Sequence, residues 1–299
     1  MKNITVLAIG GNAIDGDSHK EEGRNILKTL NGIEEPIRAG PLVITHGNGP
    51  QVGRLVEQTG LPLWLCTAQT QGEIGTLILQ NLNRYLERYK ISKKIVVVQT
   101  HVLINPMDPS LRRPSKPIGS FFDKKETEKL MKKGYRMKKD LVKDETWRRM
   151  VPSPEPTGII EMEAIELLLE KDYIVIAGGG GGVPVYKSPD GLVPIEAIVD
   201  KDYTSSLMGI SLKAERLILL TNIDAVKINF LKEGECALRI PSIKDVKLFL
   251  EKGHFKTGME TKVRAAINFL ENGGSEAIIA NIFDLKKALS NQSGTLIKK

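Results

Sequence analysis

The sequence predicts an α/β protein in which helices cover both faces of a mainly parallel central sheet. Three observations indicate this class. Short apolar runs alternate with longer amphipathic stretches, the runs are rich in β-branched residues or leucine, and most are followed by Gly, Asn or Thr. We predict six buried parallel strands, at residues 4–9, 42–45, 95–99, 173–177, 216–220 and 276–280.

Helical patterns fill most of the intervals between these strands. In the stretch 261–272, for example, apolar residues recur with the three- and four-residue spacing of one helix face. The predicted helices span residues 20–31, 48–59, 67–88, 158–171, 202–212, 243–252 and 261–272.

The segment 104–157 interrupts this alternation. It is proline-rich, and its part 111–149 holds fourteen lysines and arginines against six acidic residues, in a chain whose net charge is +7. Because such a length is unusual for a simple connection, we predict an inserted subdomain over a site, with one helix near 124–133. The alternatives are a disordered surface loop and, for the charge, a small-molecule phosphate site, an RNA site or a solvated face.

Composition narrows the class of protein further. The chain of 299 residues has an ordinary globular composition and no run of apolar residues approaching a membrane span of about 20. Its first residues lack the pattern of a signal peptide, and Cys66 and Cys236 follow no metal-binding spacing. We therefore expect a reduced, cytoplasmic protein that does not bind membranes. The chain has no zinc-finger, RRM or similar signature, so we expect no nucleic-acid partner, with RNA binding by the basic segment 111–149 as the alternative.

Glycine-rich loops follow three of the predicted strands. They are Gly10-Gly11, the segment 45–53 (THGNGPQVG) and the five glycines 178–182. Backbone amides at the carboxyl ends of parallel strands can approach an anion closely, which predicts a phosphate site, although tight turns also require glycine. His46 in the second loop is either a catalytic histidine or a structural histidine that bonds to the backbone, and we favour the structural role.

Three lysines lie where a transferring phosphoryl group could be held. Lys201 follows Asp200, a predicted helix cap, and Lys262 also stands at a predicted helix start. A lysine is disfavoured at the positive end of a helix unless a strong anion is nearby. Lys116 lies in a proline-restrained stretch of the insertion. The lysines are therefore either a phosphoryl clamp or exposed surface charges.

Several enzyme classes are excluded by missing motifs. The chain has no GxxxxGK[ST] loop, no protein-kinase signature set, no GxSxG elbow and no metal-spaced histidine pair among its 4 histidines.

Seven segments, in order along the chain, resemble the carbamate kinases, a branch of the amino-acid-kinase family. The resemblance runs from IGGNA near the start to SGTLI near the end. The segments are THGNGPQVG, TQGEIG, PSKPIG, VPSPEP, AGGGGGVPV, EAIVDKD and LLTNIDAV.

The resemblance implies a three-layer αβα sandwich forming one domain, 1–299. Within it, 1–190 would be a carbamate-binding lobe, 108–156 a protruding subdomain that can close over the carbamate, and 191–299 a nucleotide-binding lobe. It also implies a homodimer that transfers phosphate reversibly between ATP and carbamate, giving ADP and carbamoyl phosphate, with Mg²⁺ entering with the nucleotide. No protein side chain is assigned to the metal.

The resemblance also implies roles for individual residues. Other amino-acid kinases carry a lysine where this chain has Ala8, and carbamate kinases supply that charge from the position of Lys116. The catalytic residues would be Lys116, Lys201, Asp202 and Lys262. The substrate and phosphate site would contain Gly10, Gly11, Asn12, Gly47, Asn48, Gly49, Gly179 and Gly180. The nucleotide site would contain Lys201, Thr221, Asn222, Asp224, Gly258, Met259 and Lys262.

Two segments depart from the family pattern. The loop GMETK (258–262) is shorter than the family's and lacks its proline, and the segment 143–149 lacks the glycines that usually precede the aromatic residue and two arginines. The alternatives are therefore a kinase of another small acid, a sensor that binds nucleotide or carbamoyl phosphate without turnover, and an RNA-binding role for 111–149.

Overall fold

A computed structural model describes residues 1, 3–16, 18–140, 144–230, 233–255 and 257–299, except for the side chains at 12, 13 and 257. Its helices are α1 (11–14), α2 (19–29), α3 (34–39), α4 (49–59), α5 (63–88), α6 (124–132), α7 (162–170), α8 (201–211), α9 (243–251), α10 (257–271) and α11 (285–289). Its strands are β1 (5–9), β2 (42–46), β3 (94–97), β4 (101–104), β5 (116–122), β6 (136–139), β7 (147–151), β8 (156–159), β9 (173–176), β10 (183–188), β11 (191–194), β12 (216–221), β13 (227–228), β14 (236–237), β15 (276–281) and β16 (295–298).

The central sheet has seven strands in the order β16-β15-β12-β1-β2-β9-β3. All neighbours pair in parallel except β15 and β16, which pair antiparallel. The six predicted strands form six of these seven, which confirms the predicted class. The antiparallel edge strand β16 was not predicted, because its short apolar run close to the end of the chain is followed by two lysines.

Residues of each central strand alternate between two hydrophobic cores. In β1, Leu7 and Ile9 lie in one buried cluster, whereas Val6 and Ala8 lie in the other. Helices α2, α3, α5 and α11 pack against the first face, and α7, α8, α9 and α10 against the second. This period of two, with helices on both sides, produces the three-layer αβα sandwich.

The predicted helix 158–171 is wrong at its beginning. Residues 156–159 form β8, which pairs with β4 in a second sheet of order β11-β10-β4-β8, and α7 begins at Met162. An ideal Cβ on Gly158 would lie 3.1 Å from Leu103 on β4, so this glycine permits close strand packing. That partner is distant in sequence and therefore invisible to a local pattern.

The charged segment predicted as an insertion forms its own antiparallel sheet, of order β5-β7-β6, and carries α6. A capping box between Asp123 and Glu126 fixes the start of α6, close to the predicted helix 124–133. Residues 141–143 of this segment lie outside the described part of the chain.

The inserted sheet rests on α4. An ideal Cβ on Gly53 of α4 would lie 2.0 Å from the Cα of Gly119 in β5, so both backbones meet at a glycine contact. Glu57, one turn along α4, accepts hydrogen bonds from the Ser120 amide at 2.9 Å and its hydroxyl at 2.7 Å. This contact fixes the position of β5, the strand that begins at Lys116.

Candidate active site

A cavity of about 780 Å³ lies at the carboxyl ends of β1, β2 and β12. Parallel strands bring these ends to one edge of the sheet, so the loops that follow them meet there. The predicted residues that line the cavity are Gly10, Gly11, Gly47, Asn48, Gly49, Lys116, Gly180, Lys201, Asp202, Thr221, Asn222, Gly258 and Lys262. Most of the predicted site therefore converges on one place.

Asp202 holds two of the lysines together. The Nζ atoms of Lys201 and Lys262 lie 2.5 and 2.7 Å from its two carboxylate oxygens. Helix α8 supplies Lys201 and Asp202 in its first turn, and α10, which packs on α8, supplies Lys262. All three side chains are largely buried, so the carboxylate orients both ammonium groups at the cavity wall.

Asp200 holds the third lysine. One of its oxygens accepts a hydrogen bond from the backbone amide of Asp202 at 3.0 Å and so caps α8, as predicted. The other lies 2.6 Å from the Nζ of Lys116, which arrives from the inserted sheet. This ion pair was not predictable from the sequence, because the partners are 84 residues apart and the position of Asp200 before a helix already explains it as a cap.

The charges of this cluster are strongly coupled. Burial opposes ionisation, but Lys201 and Lys262 hold the pKa of Asp202 well below its usual range. Burial likewise opposes the charge of Lys262, but Asp202 and Asp200 raise the pKa of that lysine. Burial, assisted by Lys262, lowers the pKa of Lys201. Three cations thus share two carboxylates, and an entering anion would reduce the cost of burying the excess positive charge.

The glycine loops after β1 and β2 touch each other. An ideal Cβ on Gly47 would lie 2.6 Å from the amide nitrogen of Gly11 and 3.4 Å from Cδ of Lys201. A side chain here would separate the loops and displace the lysine. Glycine therefore serves close packing at this edge and leaves backbone amides near the ammonium groups.

The five-glycine loop divides into residues that face the cavity and residues that pack behind it. Gly180, with φ +62°, lies against Asn48, whose amide donates to Thr70 Oγ1 at 2.8 Å. An ideal Cβ on Gly179 would lie 2.5 Å from His46 Nε2, and Gly179 does not line the cavity. The backbone of Asn12 lies in α1, while its side chain is outside the described part of the structure.

His46 has the environment of a structural histidine. It is 1% exposed, and its Nδ1 lies 3.2 Å from the Gly47 carbonyl, to which it donates. Burial is the main cause that lowers the pKa of His46 to about 4. The ring is therefore neutral near pH 7 and supports the glycine loop, rather than lining the cavity.

A second cavity, of about 670 Å³, adjoins the first on the side of the predicted nucleotide residues. Asn222, Asp224 and Met259 line it together with apolar side chains such as Phe230 and Phe255. Thr221 and Gly258 line only the first cavity. A polar cluster beside a partly apolar cavity suits a ligand with phosphates at one end and a flat ring at the other.

The inserted segment contributes more to the cavity walls than the sequence predicted. Besides Lys116, it provides Asp108, Ser115 and Arg148 to the first cavity. A signal for Arg148 was available, because it lies in the family's aromatic-arginine-arginine pattern, but nothing in the sequence distinguishes it from Arg149.

In the described part of the chain, no group of three or more potential metal ligands lies at this cavity. Among the described residues, the one cluster of three potential ligands is His19, Glu22 and Glu73, which lines a separate cavity beside Arg54.

Within the described parts of the chain, no helix combines the length and apolar character needed to cross a membrane.

Comparisons with known proteins agree with this arrangement. Residues 3–281 match the amino acid kinase family. The chain is 38% identical to a carbamate kinase of Pyrococcus horikoshii, over 99% of both chains, and 38% identical to one of Thermoplasma volcanium, over 98% of both.

A solved structure is similar over the same length. A carbamate kinase from Giardia lamblia bound to AMP-PNP has 30% sequence identity and a TM-score of 0.89, covering 100% of this chain and 99% of that one. Lower-identity neighbours, such as an N-acetylglutamate synthase from Neisseria gonorrhoeae at 17% identity, share the fold. The chain therefore belongs to the amino acid kinase family, in its carbamate kinase branch.

Proposed function

We propose that this chain transfers a phosphoryl group reversibly between ATP and carbamate, giving ADP and carbamoyl phosphate. The observation that carries this proposal is the convergence of Lys116, Lys201 and Lys262 on one cavity, next to a second cavity lined by the predicted nucleotide residues. The carbamate kinases similar to the whole chain indicate the acceptor.

Each part of the site then has a proposed role. The glycine loops after β1 and β2, with Asn48 and Gly180, bind the carbamate and the γ-phosphoryl group. The nucleotide lies across Thr221, Asn222 and Gly258 and extends towards Asp224 and Met259 in the second cavity. Lys201 and Lys262 contact its phosphates, and Lys116 approaches from the inserted segment. Gly179 supports the site through His46 rather than touching substrate.

The chemistry requires little beyond positioning and charge. Carbamate is already an anionic nucleophile, so no general base has to remove a proton. The chain must align carbamate with the γ-phosphorus and neutralise charge on the oxygens around it. Asp202 fixes two ammonium groups for this task and Asp200 fixes the third, so the charge is in place before the substrates bind.

We propose that Mg²⁺ enters this site with the nucleotide. Both oxygens of Asp202 already accept from lysines, and those of Asp200 accept from Lys116 and a backbone amide. Mg²⁺ commonly keeps several waters and binds substrate phosphates, which fits a site whose nearest carboxylates are engaged. The ion would neutralise phosphate charge, and no side chain is assigned as its ligand.

The direct test of this function is formation of ATP from ADP, Mg²⁺ and carbamoyl phosphate. In the forward direction, ATP consumption is compared for carbamate, acetate, glutamate derivatives, UMP and isopentenyl phosphate. We expect turnover with carbamate to exceed that with every other acceptor. If another acceptor is phosphorylated while carbamoyl phosphate yields no ATP, the acceptor is wrong. Binding of ADP without any turnover would favour a sensor.

We also propose that residues 1–190 and 191–299 form two lobes and that residues 108–156 form an inserted subdomain. We propose further that the chain forms a homodimer and is located in the cytoplasm. The terminal strand β3 supports the dimer, because its outer edge has no strand partner among the described residues. Both cysteines are free, as expected in a reducing compartment. Sedimentation at micromolar concentration should give a particle of two 33.0 kDa chains, and a single-chain mass would contradict the dimer.

A further inference from the structure

Arg148 lies where the two cavities meet. Among the described residues, those that line both cavities are Ser115, Pro117, Arg148 and Asn222, and within this set Arg148 carries the charge. The nucleotide proposed above would have its phosphates at this junction. In that complex, Arg148 would lie beside the bonds that change during transfer.

The guanidinium of Arg148 has unused hydrogen-bonding capacity. Its Nη2 donates to the Gly119 carbonyl at 3.0 Å, and its Cζ lies 5.1 Å from the centre of the Phe121 ring. Its Nε is buried and has no hydrogen-bond partner in the described parts of the chain. Among the residues that the structure describes, the remaining donors of the fork have no hydrogen-bond partner, so they can serve a ligand that offers several oxygens.

Arg148 also differs from the site lysines in its charge balance. Lys116, Lys201 and Lys262 each form an ion pair with Asp200 or Asp202, whereas no carboxylate of the described residues lies within ion-pair distance of Arg148. Burial lowers the pKa of Arg148, and the carboxylates of Asp140 and Glu57 compensate only from a distance. A partly buried cation that lacks an ion-pairing carboxylate is costly, and a bound phosphate would supply the missing negative charge.

On strand β7 of the inserted sheet, the side chains of Arg148 and Arg149 have different surroundings. Arg148 lies opposite Lys138 in the pairing of β7 with β6, and Lys138 also lines the second cavity. The next residue, Arg149, places its Cζ 4.2 Å from the centre of the Tyr135 ring and lines neither cavity. Successive residues of a strand point to opposite faces, so Arg149 is a matched control on the same strand.

We propose that Arg148 is a catalytic residue that binds the γ-phosphoryl group and the oxygen bridging it to the β-phosphate. This inference rests on the proposed function. During transfer, the bond between the γ-phosphorus and the bridging oxygen breaks, and its electron pair stays on the ADP. A bond forms between that phosphorus and a carbamate oxygen. Arg148 donates hydrogen bonds to the oxygens on which charge changes, as an arginine supplied within the same chain does in other phosphoryl transfers.

The experiment compares wild type with Arg148→Met, Arg148→Lys and Arg149→Met. For Arg148→Met we expect kcat for ATP formation to fall on the order of a hundredfold or more. The kcat of Arg148→Lys should exceed that of Arg148→Met by less than about tenfold, because an ammonium group cannot form the planar fork. Added guanidinium ion should partly restore Arg148→Met but not a Lys201→Ala variant. Arg149→Met should stay within about threefold of wild type, since its side chain is outside both cavities.

Calorimetry separates this inference from the proposed function, because it needs no turnover. We expect Arg148→Met to weaken AMP-PNP binding at least about tenfold and ADP binding by less than about threefold, since the missing contact is to the terminal phosphoryl group. If wild type fails to make ATP from carbamoyl phosphate, the proposed function fails, and the calorimetry still decides on Arg148. Unchanged kcat, or equal losses for AMP-PNP and ADP with a lowered unfolding temperature, would overturn the assignment.

Discussion

His46 is expected to make the free energy of unfolding decrease as the pH falls into the mildly acidic range. In the folded chain the pKa of this buried histidine is about 4, below the ordinary value of 6.5. As pH falls, the unfolded chain therefore takes up the proton first, and folding loses stability between pH 6.5 and about 4. A shift of this size corresponds to about 3 kcal/mol.

This prediction is measured by urea unfolding of wild type and His46→Asn at pH 7 and pH 4. The asparagine amide can replace Nδ1 as a donor to the Gly47 carbonyl, but it does not titrate. We expect wild type to lose about 3 kcal/mol more than the variant over this range. Asp200 and Asp202 have lowered pKa values, so their contribution is lost only below their ordinary value of 3.8. Equal losses in both proteins would contradict the account of His46.

Lys201 tests whether the buried lysines serve catalysis rather than folding. In Lys201→Ala, Asp202 keeps Lys262 as a partner, so no buried carboxylate is left without a cation. We expect turnover to fall at least on the order of a hundredfold, comparable to the loss of an oxyanion donor, with the fold intact. The exposed Lys187 offers a control, because Lys187→Ala should retain wild-type turnover. Near-normal turnover of Lys201→Ala would remove this lysine from the mechanism.

Lys116 should behave differently from Lys201, because it arrives on the inserted sheet rather than on the helices that line the nucleotide side. We expect Lys116→Ala to reduce kcat strongly while ADP affinity, measured by calorimetry, changes little. Loss of ADP binding with an unaffected chemical step would instead assign Lys116 to the nucleotide half of the site.

At the scale of elements, the contact between α4 and β5 positions part of the site. An added Cβ at Gly53 would lie 2.0 Å from Gly119, so the inserted sheet has to move. We expect Gly53→Ala to cost about 1–3 kcal/mol in the free energy of unfolding and to lower kcat, because Lys116 lies on the displaced strand. Gly72 of α5 is the control, since its added Cβ meets no atom within 4 Å. A Gly53→Ala variant with wild-type kcat would mean that this contact does not position Lys116.

Elements buried on both faces were the ones that the sequence predicted well. β1, β2, β9 and β12 read as continuous apolar runs, because helices cover both sides of the sheet. The strands of the smaller sheets, including the pair β13 and β14, were missed, since they are short and their stability comes from strand partners outside the local pattern. Helix α7 is an example. Its predicted range wrongly included residues of β8, because the pairing partner of β8, strand β4, lies over fifty residues earlier in the chain.

At the scale of the whole molecule, chain topology brings the predicted site together. The glycine loops and Lys201 were predictable because each has a local signature at the end of a strand or the start of a helix. Three features of the site were not predictable from the sequence. They are the pairing of Lys116 with Asp200, the position of Arg148 where the two cavities meet, and the placement of Gly179 behind His46. They depend on how the inserted sheet and the glycine loop pack, which no local pattern records.

In the proposed complex, one cluster of lysines surrounds the terminal phosphoryl group of a bound nucleotide. A crystal structure of the protein with AMP-PNP tests this most directly. We expect oxygens of the γ-phosphoryl group within about 3 Å of the Nζ atoms of Lys201 and Lys262, with Lys116 facing the same group. A γ-phosphoryl group bound away from all three ammonium groups would contradict the account.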